Sequence, residues 1–396
     1  MRFQIPISEN YPHFLWRAIQ HPRKLWKGVR PSKSMPSNIW IEITNRCNLR
    51  CRSCYKLYGH HDSSTDMDLD LFERIVQEVA PQAECLNLTG FGEFLHHRRI
   101  EDIFQRLTEW PHIPLWFTTN GVLMTETWVR RLSQRRAEVI FSIDGTDQET
   151  HRFNRPQADL DKIVAALRFA RDLELSSSDP ATFPFKRHIN FLVMRNNMRQ
   201  MPAIVDWAKD FGVSSLRFTM MNNWGCPDDF WKEQNPLNYR DELIERLNQA
   251  RTAASEKGML LIAPEVSPGH PRGGDPTRVA ERGEKTIRIN RPAGFLRLFK
   301  PAPATAQGFP RFENRYCHRP FDSIYIAADG KASVCCAAWY IQLGDARKKT
   351  IRQIWNGWAF RRLRAGMLTG SHTSYCRVCD LPYGLAGGNP RDNVIG

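Results

Sequence analysis

Ten cysteines stand in this 396-residue chain, and seven of them fall into two patterns with the spacing of metal ligands. Cys47, Cys51 and Cys54 form a Cys-x3-Cys-x2-Cys run on one short stretch. Three thiolates so placed can hold three irons of a four-iron cluster and leave the fourth iron open to a substrate-like ligand, because such clusters otherwise take four protein thiolates. Zinc is the alternative, but a structural zinc site wants a fourth local ligand and usually paired Cys-x2-Cys spacing. The second pattern is Cys317, Cys335, Cys376 and Cys379. Four thiolates ligate one four-iron cluster completely, and a set ending in Cys-x2-Cys also suits tetrahedral zinc. Of the other three cysteines, Cys85 opens a predicted strand and Cys336 neighbours a ligand, so both read as buried structural thiols. Cys226, in Asn222-Asn223-Trp224-Gly225-Cys226-Pro227, follows the sixth predicted strand.

Ligands on a loop need rigid elements to hold them. From 37 to 263, short β-branched or aromatic runs alternate with longer amphipathic stretches, the pattern of βα units on a parallel sheet. Strands are predicted at 39–44, 85–89, 115–119, 139–144, 189–194, 215–220 and 259–263. Between 44 and 85, Leu69, Phe72, Ile75, Val76 and Val79 recur at helical spacing behind Asp68, a suitable cap. Further helices are predicted at 100–110, 126–136, 159–173, 201–211 and 241–257. The fold class is therefore α/β: a partial (β/α)6-type parallel barrel, followed by a small cysteine-rich domain. In such sheets chemistry sits at the carboxyl ends of the strands. Those ends carry Gly90, Gly92 and Glu93 after the second strand, Asn120 after the third, and Ser142 and Asp144 at the fourth. The expected divisions are a basic aromatic arm at 1–36, the barrel at 37–263, a linker or lid at 264–315 with eight prolines and six glycines, the cysteine-rich domain at 316–385, and a tail at 386–396.

Together these positions resemble the radical S-adenosylmethionine enzymes. The resemblance implies that the open iron binds the amino and carboxylate groups of S-adenosylmethionine, whose reductive cleavage gives a 5′-deoxyadenosyl radical that takes hydrogen from substrate. Thr89-Gly90-Phe91-Gly92-Glu93 looks like the family's Gly-Gly-Glu element, which contacts the amino group of the cofactor. Thr119-Asn120-Gly121 resembles its third strand end, and Ser142-Ile143-Asp144-Gly145 its ribose-facing position. The residue before the third cysteine, usually aromatic, is Ser53 here, with Tyr55 one place after that cysteine, and Phe94 replaces the common proline after the Glu. Cys317, Cys335, Cys376 and Cys379, with Leu343-Gly344-Asp345 and Ile351-Arg352-Gln353-Ile354-Trp355-Asn356 between them, resemble the SPASM extension. That implies one auxiliary four-iron cluster, able to accept an electron from a substrate radical or to orient substrate. Cys226 then reads either as a loop cysteine or as a hydrogen-atom donor to a substrate radical.

Charge bears on partners. The net +14 is concentrated: 1–38, 266–315 and 345–364 each carry +6, so the remainder is −4. Charge on an arm, a loop and one helix argues against nucleic-acid binding, where a recognition element would carry it. Substrates implied by the resemblance are ribosomally made peptides or small molecules such as amino sugars. The reading favours a peptide, whose acidic leader the basic 266–315 segment could grip, although 38 residues before the first strand leave no room for an amino-terminal leader-binding module. A reducing partner such as flavodoxin or ferredoxin is expected. No apolar run approaches the ~18 residues of a membrane span, and the first ten residues are unlike a signal peptide. The cytoplasm, where thiols stay reduced, is the expected compartment.

Overall fold

The computed structural model describes residues 22–266 and 317–369, apart from 33, 59–63, 224–225 and 339–340, together with Cys376. Nearly all of the 264–315 segment, the 386–396 tail and Cys379 lie outside the described residues.

Helix α1 (Pro22–Val29) precedes a run of seven parallel strands that pair in sequence order: β1 Asn38–Ile41, β2 Cys85–Asn87, β3 Leu115–Thr119, β4 Ala137–Ser142, β5 Phe185–Val193, β6 Ser215–Met220 and β7 Leu261–Ile262. The connecting helices are α2 Leu69–Val79, α3 Ile100–Thr108, α4 Glu126–Ser133, α5 Gln148–Asn154, α6 Leu160–Leu175, α7 Met201–Asp210, α8 Asp228–Gln234 and α9 Arg240–Glu256. Phe117, Val139, Phe141, Ile189 and Phe191 are buried because helices cover the sheet, and this is why the strands read as nearly continuous apolar runs. Helix α2 starts where its sequence says it should. The Asp68 carboxylate accepts from the Asp70 and Leu71 N–H groups, and Leu69, Leu71, Phe72, Ile75, Val76 and Val79 go into the core. Each large apolar side chain so buried contributes ~1.5–3 kcal/mol.

Three strands stop two or three residues earlier than expected, β1 at Ile41, β2 at Asn87 and β4 at Ser142. One residue beyond each, Glu42, Leu88 and Ile143, still donates its N–H to the neighbouring strand, and the chain then turns into the site. Strand β5 instead begins four residues before its predicted start, because Lys186, Arg187 and His188 mask an element that is nonetheless inside. Arg187 is 1% exposed, with its guanidinium paired to Glu174 and donating to the Gly212 carbonyl at 2.9 Å. Helices α5 and α8 were not expected at all.

The carboxyl-terminal unit joins the same sheet. After α10 (Arg319–Asp322), β8 (Ser323–Ile326) lies parallel to β1, with Asn38 opposite Ser323 and Ile41 opposite Ile326. Strands β9 (Lys331–Ser333) and β10 (Gly344–Asp345) add antiparallel to it, making ten strands among the described residues. Helix α11 (Ile351–Trp355) opens on a capping box of Thr350 and Gln353, and α12 (Trp358–Thr369) follows. The described part of the basic arm packs there: a Cβ on Gly28 would lie 2.4 Å from the Ala365 Cα, so α1 and α12 touch backbone to backbone. The basic 345–364 segment is not all periphery. Arg364 is buried, donates to the Pro320 and Trp355 carbonyls at 2.8 Å, and stacks over Trp355.

Candidate functional site

Beyond β1 the chain runs through Glu42, Thr44 and Arg46 into the cysteine loop. The Cys54 N–H donates to the Cys51 carbonyl at 3.0 Å, and a 3-10 turn, Tyr55–Tyr58, follows. All three thiols are half-buried. Nitrogen donors face two of the sulfurs: Leu49 N at 3.4 Å and Asn120 Nδ2 at 3.9 Å from Cys47 Sγ, and an Arg155 guanidinium nitrogen at 3.8 Å from Cys51 Sγ. Burial pushes both thiols up, Cys51 to about 12, with Arg155 opposing it there. A bound metal overrides that cost by deprotonating its thiol ligands outright. Among the described residues no three His, Cys, Asp or Glu side chains converge tightly enough to share one ion. Single zinc needs such convergence, whereas thiolates on separate irons of a cluster stand further apart. The donor set, three thiols with N–H groups aimed at sulfur, suits an iron–sulfur cluster.

The end of α5 holds this loop. The Asn154 carbonyl accepts from Arg52 N at 2.8 Å, Asn154 Oδ1 accepts from Ser53 N at 3.0 Å, and Gln157 accepts from Arg50 N at 3.0 Å. Asp144 in turn fixes α5. It is 0% exposed; Oδ2 accepts from Asn154 Nδ2 and Arg155 Nε, both at 2.7 Å, and Oδ1 accepts from Leu192 N at 3.1 Å. Burial pushes its carboxyl up, but the Arg155 guanidinium and the Asn154 amide outweigh that and hold it below the usual carboxylate range. His151, whose burial lowers it to about 4, is neutral and accepts the Asp144 N–H. Asp144 thus sits beneath the site as a brace, and Ser142, also buried, pairs with Asn190 beside it.

Across the loop, the turn after β2 packs on the backbone that leads to Cys47. A Cβ on Gly92 would meet the Thr44 carbonyl oxygen at 2.4 Å and that of Arg46 at 2.5 Å; one on Gly90 would meet Glu42 Cγ at 2.3 Å. Gly92→Ala is expected to cost about 1–3 kcal/mol, because backbone oxygens cannot swing aside; the denaturation midpoint measures it. Glu93 is buried, accepting from Thr119 Oγ1 at 2.6 Å and Asn120 N at 2.7 Å, while its own N–H donates to the Arg46 carbonyl. Burial pushes its carboxyl up against those hydrogen bonds. Asn120 Nδ2 also donates to Asn48 Oδ1 at 2.8 Å, joining the third strand end to the cysteine loop. The Tyr55 ring lies 5.8 Å from that of Phe91. Gly90, Gly92, Glu93, Asn120 and Tyr55 are therefore brought together around Cys47, Cys51 and Cys54.

Cys226 is 5% exposed and clusters with Met194 and Met221 beyond β5 and β6, a cluster against which Tyr58, Phe153, Phe230 and Trp231 pack. Of the second cysteine set, Cys317, Cys335 and Cys376 are half-buried against the main core, and Cys379 lies outside the described residues. Sequence reasoning missed Arg155, Asn154 and Glu42. Only Glu42 had left a trace, as a lone acid between Ile41 and Ile43 in an apolar run.

Comparison with known proteins agrees with this geometry. Residues 41–218 match the radical SAM superfamily and 317–380 the SPASM iron–sulfur cluster-binding domain. A tungsten-containing aldehyde ferredoxin oxidoreductase cofactor-modifying protein of Pyrococcus furiosus is 26% identical over 185 residues, which is 45% of this chain and 49% of that protein. The chain spans about half the length of the curated relatives it matches. Among solved structures, SuiB of Streptococcus suis bound to S-adenosylmethionine aligns over 96% of this chain and 79% of its own, at 17% identity and a TM-score of 0.59. The anSMEcpe structure with S-adenosylmethionine and the Cp18Cys peptide aligns over 89% of both chains, at 16% identity and a TM-score of 0.53. No helix among the described residues is long and apolar enough to cross a membrane. Residues 41–218 are thus a radical S-adenosylmethionine domain and 317–380 a SPASM domain, whose cofactors are iron–sulfur clusters and S-adenosylmethionine.

Proposed function

We propose that this enzyme modifies a ribosomally made peptide. The observation that carries the reading is that two proteins sharing this arrangement have been captured with peptides: SuiB with its precursor SuiA, at a TM-score of 0.57 over 88% of this chain, and anSMEcpe with Cp18Cys. The 266–315 segment, with ten basic and four acidic residues, suits an acidic peptide. Cys47, Cys51 and Cys54 would hold a four-iron cluster, which would supply the electron for reductive cleavage of S-adenosylmethionine. The protein's own work is placement. Asn120 and Arg155 direct N–H groups at the Cys47 and Cys51 sulfurs, Asp144 neutralises Arg155, and Gly90 and Gly92 let the turn approach closely. Cys317, Cys335, Cys376 and Cys379 hold the auxiliary cluster. We place the enzyme in the cytoplasm, with electrons from flavodoxin or ferredoxin.

A second reading, radical oxidation or epimerisation of a small molecule such as an amino sugar, draws on Cys226. It belongs to a buried cluster with Met194 and Met221 against which Tyr58, four residues after Cys54, packs. Epimerisation needs a hydrogen atom returned to the opposite face of the substrate radical; the thiyl left on sulfur then takes one electron and a proton from the donor. One experiment addresses both. The reconstituted enzyme, reductant and S-adenosylmethionine are incubated anaerobically in deuterated water, once with the peptide of any short reading frame beside the gene and once with an amino sugar. A peptide that loses two hydrogens supports the proposal; one that neither binds nor changes in mass overturns it. Deuterium incorporation that Cys226→Ala abolishes, with 5′-deoxyadenosine release intact, establishes the donor.

A further inference from the structure

Glu42 has a role that neither cluster nor cofactor chemistry accounts for. It is 0% exposed, one residue past the end of β1, and an isolated carboxylate in that position is costly. Its two oxygens accept from three donors in two different parts of the protein. Oε2 takes the Phe91 N–H at 2.7 Å and the Tyr325 hydroxyl at 2.9 Å, and Oε1 takes the Ala328 N–H at 3.2 Å. Phe91 lies in the Gly90–Glu93 turn. Tyr325, fully buried on β8, and Ala328, in the turn between β8 and β9, belong to the SPASM domain. Tyr325 pairs with Ser333, and Cys335 stands two residues beyond that. The side chain is also the surface on which Gly90 rests, since a Cβ there would strike Glu42 Cγ.

Only a carboxylate fits. All three neighbours donate, two of them as backbone N–H groups that cannot reverse their polarity. An amide in its place must turn its NH2 toward Phe91 N or Ala328 N and set donor against donor. We propose that Glu42 is a positioning residue through which the β8–β9 hairpin sets the Gly90–Phe91 turn, so that affinity for S-adenosylmethionine depends on Tyr325 of the cluster-binding domain. This rests on the reading that the turn binds S-adenosylmethionine.

The test is equilibrium binding of S-adenosylmethionine to the anaerobically reconstituted full chain, followed by the change it makes in the paramagnetic spectrum of the reduced cluster. Tyr325→Phe is expected to raise the dissociation constant about fivefold, the worth of one net hydrogen bond, with iron content and the unliganded spectrum unchanged. Turnover at saturating S-adenosylmethionine should stay near that of the unaltered enzyme, so KM moves and kcat does not. Glu42→Gln should weaken binding more, and adding Tyr325→Phe to it should weaken it no further, because the tyrosine acts through the carboxylate. Tyr325→Phe with unaltered binding, or additive effects in the double variant, overturns the proposal. If Glu42→Gln fails to fold, the single Tyr325→Phe measurement decides alone. Unaltered enzyme whose cluster spectrum ignores S-adenosylmethionine overturns the reading of the turn itself, a distinguishable failure.

Discussion

Cys51→Ala is expected to abolish reductive cleavage of S-adenosylmethionine and to lower bound iron from about eight to about four atoms per chain, the four-iron cluster of the SPASM domain being left in place. Cys51 is the middle ligand of the loop. Its carbonyl accepts the Cys54 N–H, and its sulfur faces Arg155. Without it, two thiolates remain where three irons need ligands, and Arg155 loses the sulfur it faces while keeping Asp144. Iron analysis of the reconstituted protein and chromatography of 5′-deoxyadenosine read the two effects separately. A variant that keeps the full iron complement and still cleaves the cofactor removes this loop from the chemistry.

Asp144→Ala is expected to destabilise the fold by about 3–5 kcal/mol, the usual cost of stripping one partner from a buried ion pair. The alanine leaves Arg155, largely buried itself, without its carboxylate, and orphans the Asn154 amide and the Leu192 N–H. Asn154 also secures Arg52 and Ser53, so the cysteine loop should loosen and iron retention fall with stability. The effect has a pH signature. Arg155 holds the folded-state carboxyl below its unfolded value, so the stabilisation is fully present above about pH 4 and fades as pH falls through the depressed folded value. Chemical denaturation of the unaltered chain and Asp144→Asn should therefore show a gap at neutral pH that narrows in acid. A constant gap would mean the carboxylate's charge is not what matters.

How far the sequence could be read follows from what each residue has to do. The cysteine loop was legible because ligand spacing is local, and the parallel sheet because strands covered on both faces show as apolar runs. The second cysteine set was legible as a pattern, although it spans 317–379. Hidden from view were buried polar residues. Arg155 and Asn154 follow or end α5, seven residues with no apolar stripe, and their partner Asp144 reads equally well as a turn residue. The predicted strands run two or three residues too long at 44, 89 and 144 because the hydrophobic pattern continues through Ile43, Leu88 and Ile143, past the last fully paired residues. Glu42, Thr89 and Asp144 fall in those overruns. Thr89 there accepts from the Thr118 N–H.

The placement of β8 beside β1 has a consequence for biogenesis. The outer edge of β1 finds its partner only when β8 arrives, and the hydroxyl that binds Glu42 lies 283 residues further along the chain. At a synthesis rate of about 5–20 residues per second, the nascent protein carries an unpaired strand edge and an unsatisfied acid for ~15–60 s. Pairing across so long a loop is also intrinsically slow. A chain cut short before β8 therefore keeps an open β1 edge and lacks the Tyr325 hydroxyl that binds Glu42.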